Sequence, residues 1–341
     1  MVRKKKSDNE KTQSGIELES FNAIDQDTGE IKGRVTILKG NAIILDPEEE
    51  RKRKDAQKYR NKTGRVDPFV QCTKEYKVMI EDYNRLAKEC LVKLFPYIGY
   101  KDSIVKIDDK IASTSDIYDM WGVSNKTGKL ILDKIIADGI LIEEESGFKS
   151  KKQYRCTGKT IFRGKNNKKD FTQKINDKAL KFYIDAVQKK LDVREKTAKK
   201  NKKKISPIYP LALFAALIPH FSYDTYILCK NNSESIILEH ETVTEILASR
   251  RKRSRFQFLK TYELWNIYSG QNLKNENMSS QERKDIKECM DILLKVGVLG
   301  LFSSHGKILY LINPNLVYSS PGFKCDAEWI RVIDSLFKFT K

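Results

Sequence analysis

Residues 113–164 read STSDIYDMWGVSNKTGKLILDKIIADGILIEEESGFKSKKQYRCTGKTIFRG. The pattern over 116–121 is helical, and Gly122, Val123 and Ser124 interrupt it. A second helix opens with Ser124 or Asn125 as N-cap, where a short side-chain oxygen can accept from a free first-turn amide. It ends at Asp138, with Gly139 where a helix stop needs left-handed backbone. Two strand-like runs follow, 140–145 and 153–162, joined by the basic segment 146–152. Helix, tight turn, helix and hairpin in this order is the winged-helix pattern. Its second helix enters the DNA major groove and its wing reaches the backbone or minor groove. Two packed helices and a hairpin would also suit an ordinary α+β core.

Charge separates these readings. The 341-residue chain is 40% hydrophobic, enough for two cored domains, and carries a net charge of +19. Residues 146–204 hold 21 Lys/Arg against 5 Asp/Glu, so most of that charge lies between the wing and the helix after it. Such an excess beside a helix-turn-helix is expected of a phosphate-contacting surface. Six cysteines (Cys72, Cys90, Cys156, Cys229, Cys289, Cys325) are scattered without a C-x-x-C pair, which reads as reduced, mostly buried thiols of a cytoplasmic protein. The apolar run 211–218 is too short to span a bilayer and precedes Pro219, so it reads as a core helix, and no membrane partner is expected.

Taken in order, residues 1–19 read as a disordered tail. Residues 20–66 alternate as a hairpin or three-stranded piece around Asp27-Thr28-Gly29-Glu30, then become a charged connector. Residues 67–164 make a first winged-helix domain. Its opening, 69–98, carries an apolar stripe (Tyr76, Ile80, Tyr83, Ala87, Leu91, Leu94) that predicts one long amphipathic helix, and Val105 to Ile107 supplies a strand beside the wing. Residues 165–205 read as a basic helical linker that loses its apolar face and frays beyond Leu191.

Residues 206–341 make a second winged-helix-like domain. The pattern predicts a hairpin around Lys230-Asn231-Asn232, a helix over 242–248 and another opening at Ser254. A further helix is capped by Ser279 or Ser280 and stopped by Gly297, and a hairpin runs through 298–312. KVGVLGLF there answers ADGILIEE in the first domain, so one supersecondary unit is expected twice. The fold class is α+β and helix-rich, with two tandem winged-helix domains joined by a basic helical linker.

The second helix of the first unit offers Asn125, Lys126, Thr127 and Lys129 to bases and phosphates, with Leu130, Ile131, Ile135 and Ile136 turned mostly inward. The wing adds Lys149, Lys151, Lys152 and Arg155 as phosphate contacts. In the second domain Arg250, Arg251, Lys252, Arg253 and Arg255 form a basic turn free of acids. The DNA-reading helix there is either the one from Ser254 or the one bearing Arg283, Lys284 and Lys287, with Lys307 on the following hairpin. Enzymatic readings fare badly. His220, His240 and His305 lie far apart and give no His-x-His pair for a metal-dependent nickase, and TGKT at 157–160 lacks the first P-loop glycine because position 153 is Gln153. No catalytic residue, metal or cofactor is expected.

The run CMDILLKVGVLGLFSSHGKILYLINPNLVYSSPG, residues 289–322, resembles the C-terminal end of winged-helix replication proteins from plasmids and phages of low-GC Gram-positive bacteria. The likeness rests on the helix, the strand after Gly297, the wing and Ile312-Asn313-Pro314-Asn315. It implies a DNA-binding, non-enzymatic starter of replication that grips double-stranded DNA at an origin and recruits host replication proteins, possible as a homodimer. A transcriptional regulator on the same fold is the alternative, and a nuclease or primase is a third reading that the missing metal constellation disfavours.

Overall fold

The computed structural model describes the strand backbone within 18–45 and residues 68–100, 102–145, 152–164, 172–222, 225–232, 234, 236–238, 241–304, 306–318 and 327–337. The expected tail before residue 18, the charged connector 46–67, most of the wing segment (146–151), the start of the linker (165–171), His240, His305 and Cys325 lie outside the described residues. The N-terminal unit is an antiparallel sheet of β1 (Leu18–Ile24), β2 (Ile31–Leu38) and β3 (Asn41–Leu45), in that order.

Residues 67–341 form the other unit, an α+β assembly of helices and small antiparallel sheets. Its first half runs β4 (Phe69–Cys72), α1 (Glu75–Glu81), α2 (Arg85–Leu94), the short pair β5 (Lys106–Ile107) and β6 (Lys110–Ile111), α3 (Thr114–Trp121), α4 (Asn125–Ala137), β7 (Leu141–Glu145), β8 (Lys152–Cys156) and β9 (Ile161–Phe162). Its second half runs β10 (Gln173–Asn176), α5 (Asp177–Lys200), α6 (Pro210–Leu217), α7 (Val243–Ala248), α8 (Arg250–Arg253), α9 (Thr261–Ser269), α10 (Ser280–Lys295), β11 (Leu299–Ser304), β12 (Lys307–Ile312), β13 (Val317–Tyr318) and α11 (Ala327–Phe337).

The two halves share a set of equivalent main-chain bonds beyond the segments that sequence pairs, although α7, α8 and α9 stand where the first half has α3 alone. Each has a helix that ends in a proline-containing 3-10 turn, Phe95–Tyr97 and Ile218–His220. The chain then closes a β-bridge, Ile98 to Val105 or Phe221 to Leu228, through a non-glycine residue at positive φ, Ser103 at 56° or Tyr226 at 60°. That loop pairs with the returning hairpin strand: Val105 N donates to Tyr154 O and Leu228 N to Tyr310 O, both at 2.8 Å. After α4 and after α10 the chain turns through Gly139 (φ 68°) or Gly297 (φ 82°), conformations that glycine adopts without Cβ strain. Both halves end on a central sheet of order β13-β10-β4-β9.

That sheet joins the halves. β4 pairs antiparallel with β10, Lys174 opposite Gln71. Equating Gln71 with Lys174 sends the pair Val70–Ile175 onto Gln173–Cys72, which is also present, so a local two-fold relates the strands. Thr73 N to Thr160 O repeats as Asn176 N to Leu316 O. Beside the sheet, α2 packs on α6, whose residues are all buried. A helix apolar on every face is stable only at the centre of a core, which explains the run 211–218.

The structure departs from expectation at several places. The stretch 69–98 is not one helix. Phe69–Cys72 is drawn into strand by partners on both edges, and Asn84 starts α2 afresh, its Oδ1 accepting from Ala87 N at 2.9 Å. The expected strand 153–162 bends at Gly158 (φ 79°) and divides into β8 and β9. Among the described residues no hairpin forms around Lys230-Asn231-Asn232, and Ile227 pairs instead with Leu311. The helix expected at Ser254 begins only at Thr261. The basic linker does not fray: α5 continues to Lys200, where Lys203 N closes back on Ala198 O at 2.9 Å. Arg194 holds it, pairing with Glu288 at 2.6 and 2.9 Å and donating to Ser206 O at 3.0 Å. Among the described residues no helix is long and apolar enough to cross a membrane.

Candidate nucleic-acid interface

Ser124 is the N-cap of α4, its Oγ accepting from Thr127 N at 3.3 Å. The Thr127 hydroxyl lies 3.0 Å from the same oxygen and so belongs to the cap. Gly128 lies against Tyr118, where a Cβ would come within 2.4 Å of a ring carbon, so glycine lets α4 settle onto α3. The opposite face is open, with Asn125, Lys126 and Lys129 exposed as expected. Leu130 is the correction on this helix. It is 66% exposed rather than turned inward, while Ile131, Leu132 and Ile135 supply the buried face. Lys134 pairs with Asp138 at 3.2 Å and lies over the Tyr83 ring, so its charge is already engaged.

The hairpin after α4 offers less free charge than its sequence suggests. Arg155 is locked to Glu144 across the strands (2.8–3.1 Å) and donates to Asp102 O at 2.9 Å, which makes it a structural residue. Lys152 pairs with Glu143 at 2.8 Å. Lys149 and Lys151 lie outside the described residues.

In the second half, Ser279 caps α10 in a reciprocal box with Glu282. Lys284 and Lys287 are exposed, whereas Arg283 donates to Asn275 O at 2.6 Å and ties down the preceding loop. Counting back from Gly139 and from Gly297 puts Lys126 level with Lys284 and Lys129 level with Lys287. The repeat therefore brings two lysine pairs to the same place on equivalent helices, a spacing already present in the sequence once the two glycines are aligned. Leu130 is level with Glu288, which Arg194 has drawn onto α5. Lys307 is exposed on the second hairpin, over the Phe258 ring.

The basic turn 250–255 is not free of acids, because Glu241 folds onto it. Glu241 pairs with Arg255 and with Lys252 (3.1 Å to the latter). The hydrogen bond from Arg255 holds its carboxyl down at about 2. Arg253 is buried and donates to Leu247 O (3.2 Å) and Ser304 O (3.3 Å), fastening α8 to β11. Arg250 and Arg251 are left exposed. Along α5 and just beyond it, Lys189, Lys190, Lys196, Lys199, Lys200, Lys202, Lys203 and Lys204 are exposed, with Asp192 and Glu195 the exposed acids among them, so the stretch is strongly basic, most of all at its end.

TGKT at 157–160, set aside as a P-loop, has a structural task. Thr157 Oγ1 donates to Gly139 O (2.6 Å) and accepts from Lys159 N (3.2 Å). Asn313 does the same in the second half, donating to Gly297 O and accepting from Asn315 N, both at 2.8 Å. Asn313, in the INPN run, is thus an internal clasp. Among the described residues no group of three His, Cys, Asp or Glu is placed to hold a metal ion. Comparison with protein-family models, curated proteins and solved structures finds no match to this chain.

Proposed function

We propose that the two halves of residues 68–318 are tandem winged helices that bind double-stranded DNA at a specific site, with α4 and α10 as recognition helices. The observation that carries this reading is the equal placement of Lys126 and Lys129 on α4 and of Lys284 and Lys287 on α10, each helix followed by a β-hairpin. Lysines on the exposed face of a recognition helix reach guanine edges and phosphates in the major groove. The exposed lysines of α5 neutralise phosphates between the two grooves. Because β4 and β10 meet antiparallel across a local two-fold, the halves call for half-sites in inverted order. The resemblance of residues 289–322 to plasmid and phage replication proteins favours a cytoplasmic, non-enzymatic initiator that works at an origin with host replication proteins.

Selection of binding sites from random duplexes by the full chain tests the binding. Lys126→Ala with Lys129→Ala, and separately Lys284→Ala with Lys287→Ala, should each weaken the selected site by about 1–3 kcal/mol for every base edge left unread. Wild-type affinity in both double variants would overturn the assignment of α4 and α10. Origin activity of the cloned gene region separates initiator from regulator.

A further inference from the structure

On the open face of α4, Asn125, Lys126, Lys129 and Leu130 are exposed, while Thr127 belongs to the cap and Lys134 is paired. At about 100° per residue, Leu130 lies about 40° around the helix from Lys126, on the side away from Lys129, and exposed Asp133 falls between the two lysines. A leucine 66% exposed one turn along from Lys126 is not filling the core. Asn125, Lys126 and Lys129 against the single carboxylate of Asp133 suit this face to an anionic surface, and Leu130 then meets the apolar group that such a surface carries. In the major groove the apolar group is the C5-methyl of thymine. At the equivalent position of α10, Glu288 is held by Arg194, so the second half lacks such a contact.

We infer that Leu130 is a specificity residue that reads thymine methyl groups, giving the first half an A·T preference that the second half does not share. This rests on the DNA-binding reading above. Asn125, able to pair with adenine, is suited to the same half-site.

The test uses the selected duplex with each thymine replaced in turn by uracil, which removes the methyl group and leaves base pairing intact. In the half-site read by α4, one or two replacements should weaken the full-length protein roughly fourfold each, the transfer value of one buried methyl group. Leu130→Ala should bind the thymine duplex more weakly by a similar factor and be indifferent to uracil, with unchanged thermal melting. Leu130→Met should restore the thymine preference. If the wild type binds the selected site but ignores every uracil, or if the uracil effect persists in Leu130→Ala, the inference fails while the DNA reading stands. A changed oligomeric state of Leu130→Ala together with uracil indifference in the wild type would assign the residue to a protein contact instead. Failure to enrich any duplex would overturn the DNA reading itself.

Discussion

Replacing Asn313 tests whether the chain is built as a repeat. Its side chain is fully buried and makes three hydrogen bonds, all at 2.8 Å: Nδ2 to Tyr183 Oη, Nδ2 to Gly297 O, and Oδ1 from Asn315 N. Asn313→Ala removes all three at a buried site. At about 1 kcal/mol per bond, with some desolvation left uncompensated, stability should fall by roughly 3–4 kcal/mol. The first half has Thr157 here, and its hydroxyl serves the glycine carbonyl and the amide two residues on. Asn313→Thr should therefore recover two of the three bonds and cost only about 1–2 kcal/mol, while Tyr183→Phe, which removes one, should cost about 1 kcal/mol. Urea unfolding of the full chain, followed by far-UV circular dichroism with m-values compared, measures the series. If Asn313→Thr is as damaging as Asn313→Ala, or if Asn313→Ala costs less than about 1 kcal/mol, the equivalence of the two clasps is wrong.

Replacing Lys199, Lys200, Lys202, Lys203 and Lys204 by Gln should weaken binding to all sequences alike and flatten log K against log salt by roughly 0.9 for every phosphate no longer neutralised; an unchanged slope would mean that this edge touches no phosphate. His220 is buried with no hydrogen-bond partner at either ring nitrogen, the Glu81 carboxylate standing off at 3.9 Å from Nε2, and burial holds its pKa down at about 3, below the ordinary 6.5. Between those values the unfolded chain takes up a proton that the folded chain refuses. Its contribution is thus fully present above pH 6.5 and disappears as pH falls toward 3, by up to about 5 kcal/mol. Denaturation midpoints from pH 7 down to 4 should show this slope, and His220→Phe should flatten it. Arg253→Gln should lower stability by about 2 kcal/mol because two carbonyl oxygens lose their guanidinium donor, whereas Arg250→Gln with Arg251→Gln should leave melting unchanged and reduce DNA affinity; the reverse pattern would refute their division into structural and exposed groups.

The helix ends were legible because their causes are local. Ser124, Gly139, Ser279 and Gly297 act on amides and carbonyls within a turn of themselves, and each acts as its residue type predicts. What misled were residues whose partners are brought by the fold. Arg155 and Arg253 carry the same charge as Lys126, but Glu144 lies across a hairpin, and the carbonyls that hold Arg253 come from α7 and β11. Phe69–Cys72 continues an apolar helical stripe and is nevertheless strand, because β10 reaches it from far along the chain. Leu130 is apolar and so reads as inward, yet at helical spacing its neighbours are Lys126, Asp133 and Lys134, and the buried stripe of Ile131, Leu132 and Ile135 lies on the other side of α4.

The central sheet also governs how the chain can be divided. A cut between residues 164 and 172 leaves β4 in one piece and β10 in the other, each with an open edge that donates and accepts main-chain bonds. Neither half is then a finished module. The two pieces carry complementary edges together with the faces of α2 and α6, so co-produced fragments have the means to reassemble. Two intact chains that exchange second halves would satisfy the same edges, which makes the join between the repeats both a site for a split reporter and a route to swapped dimers.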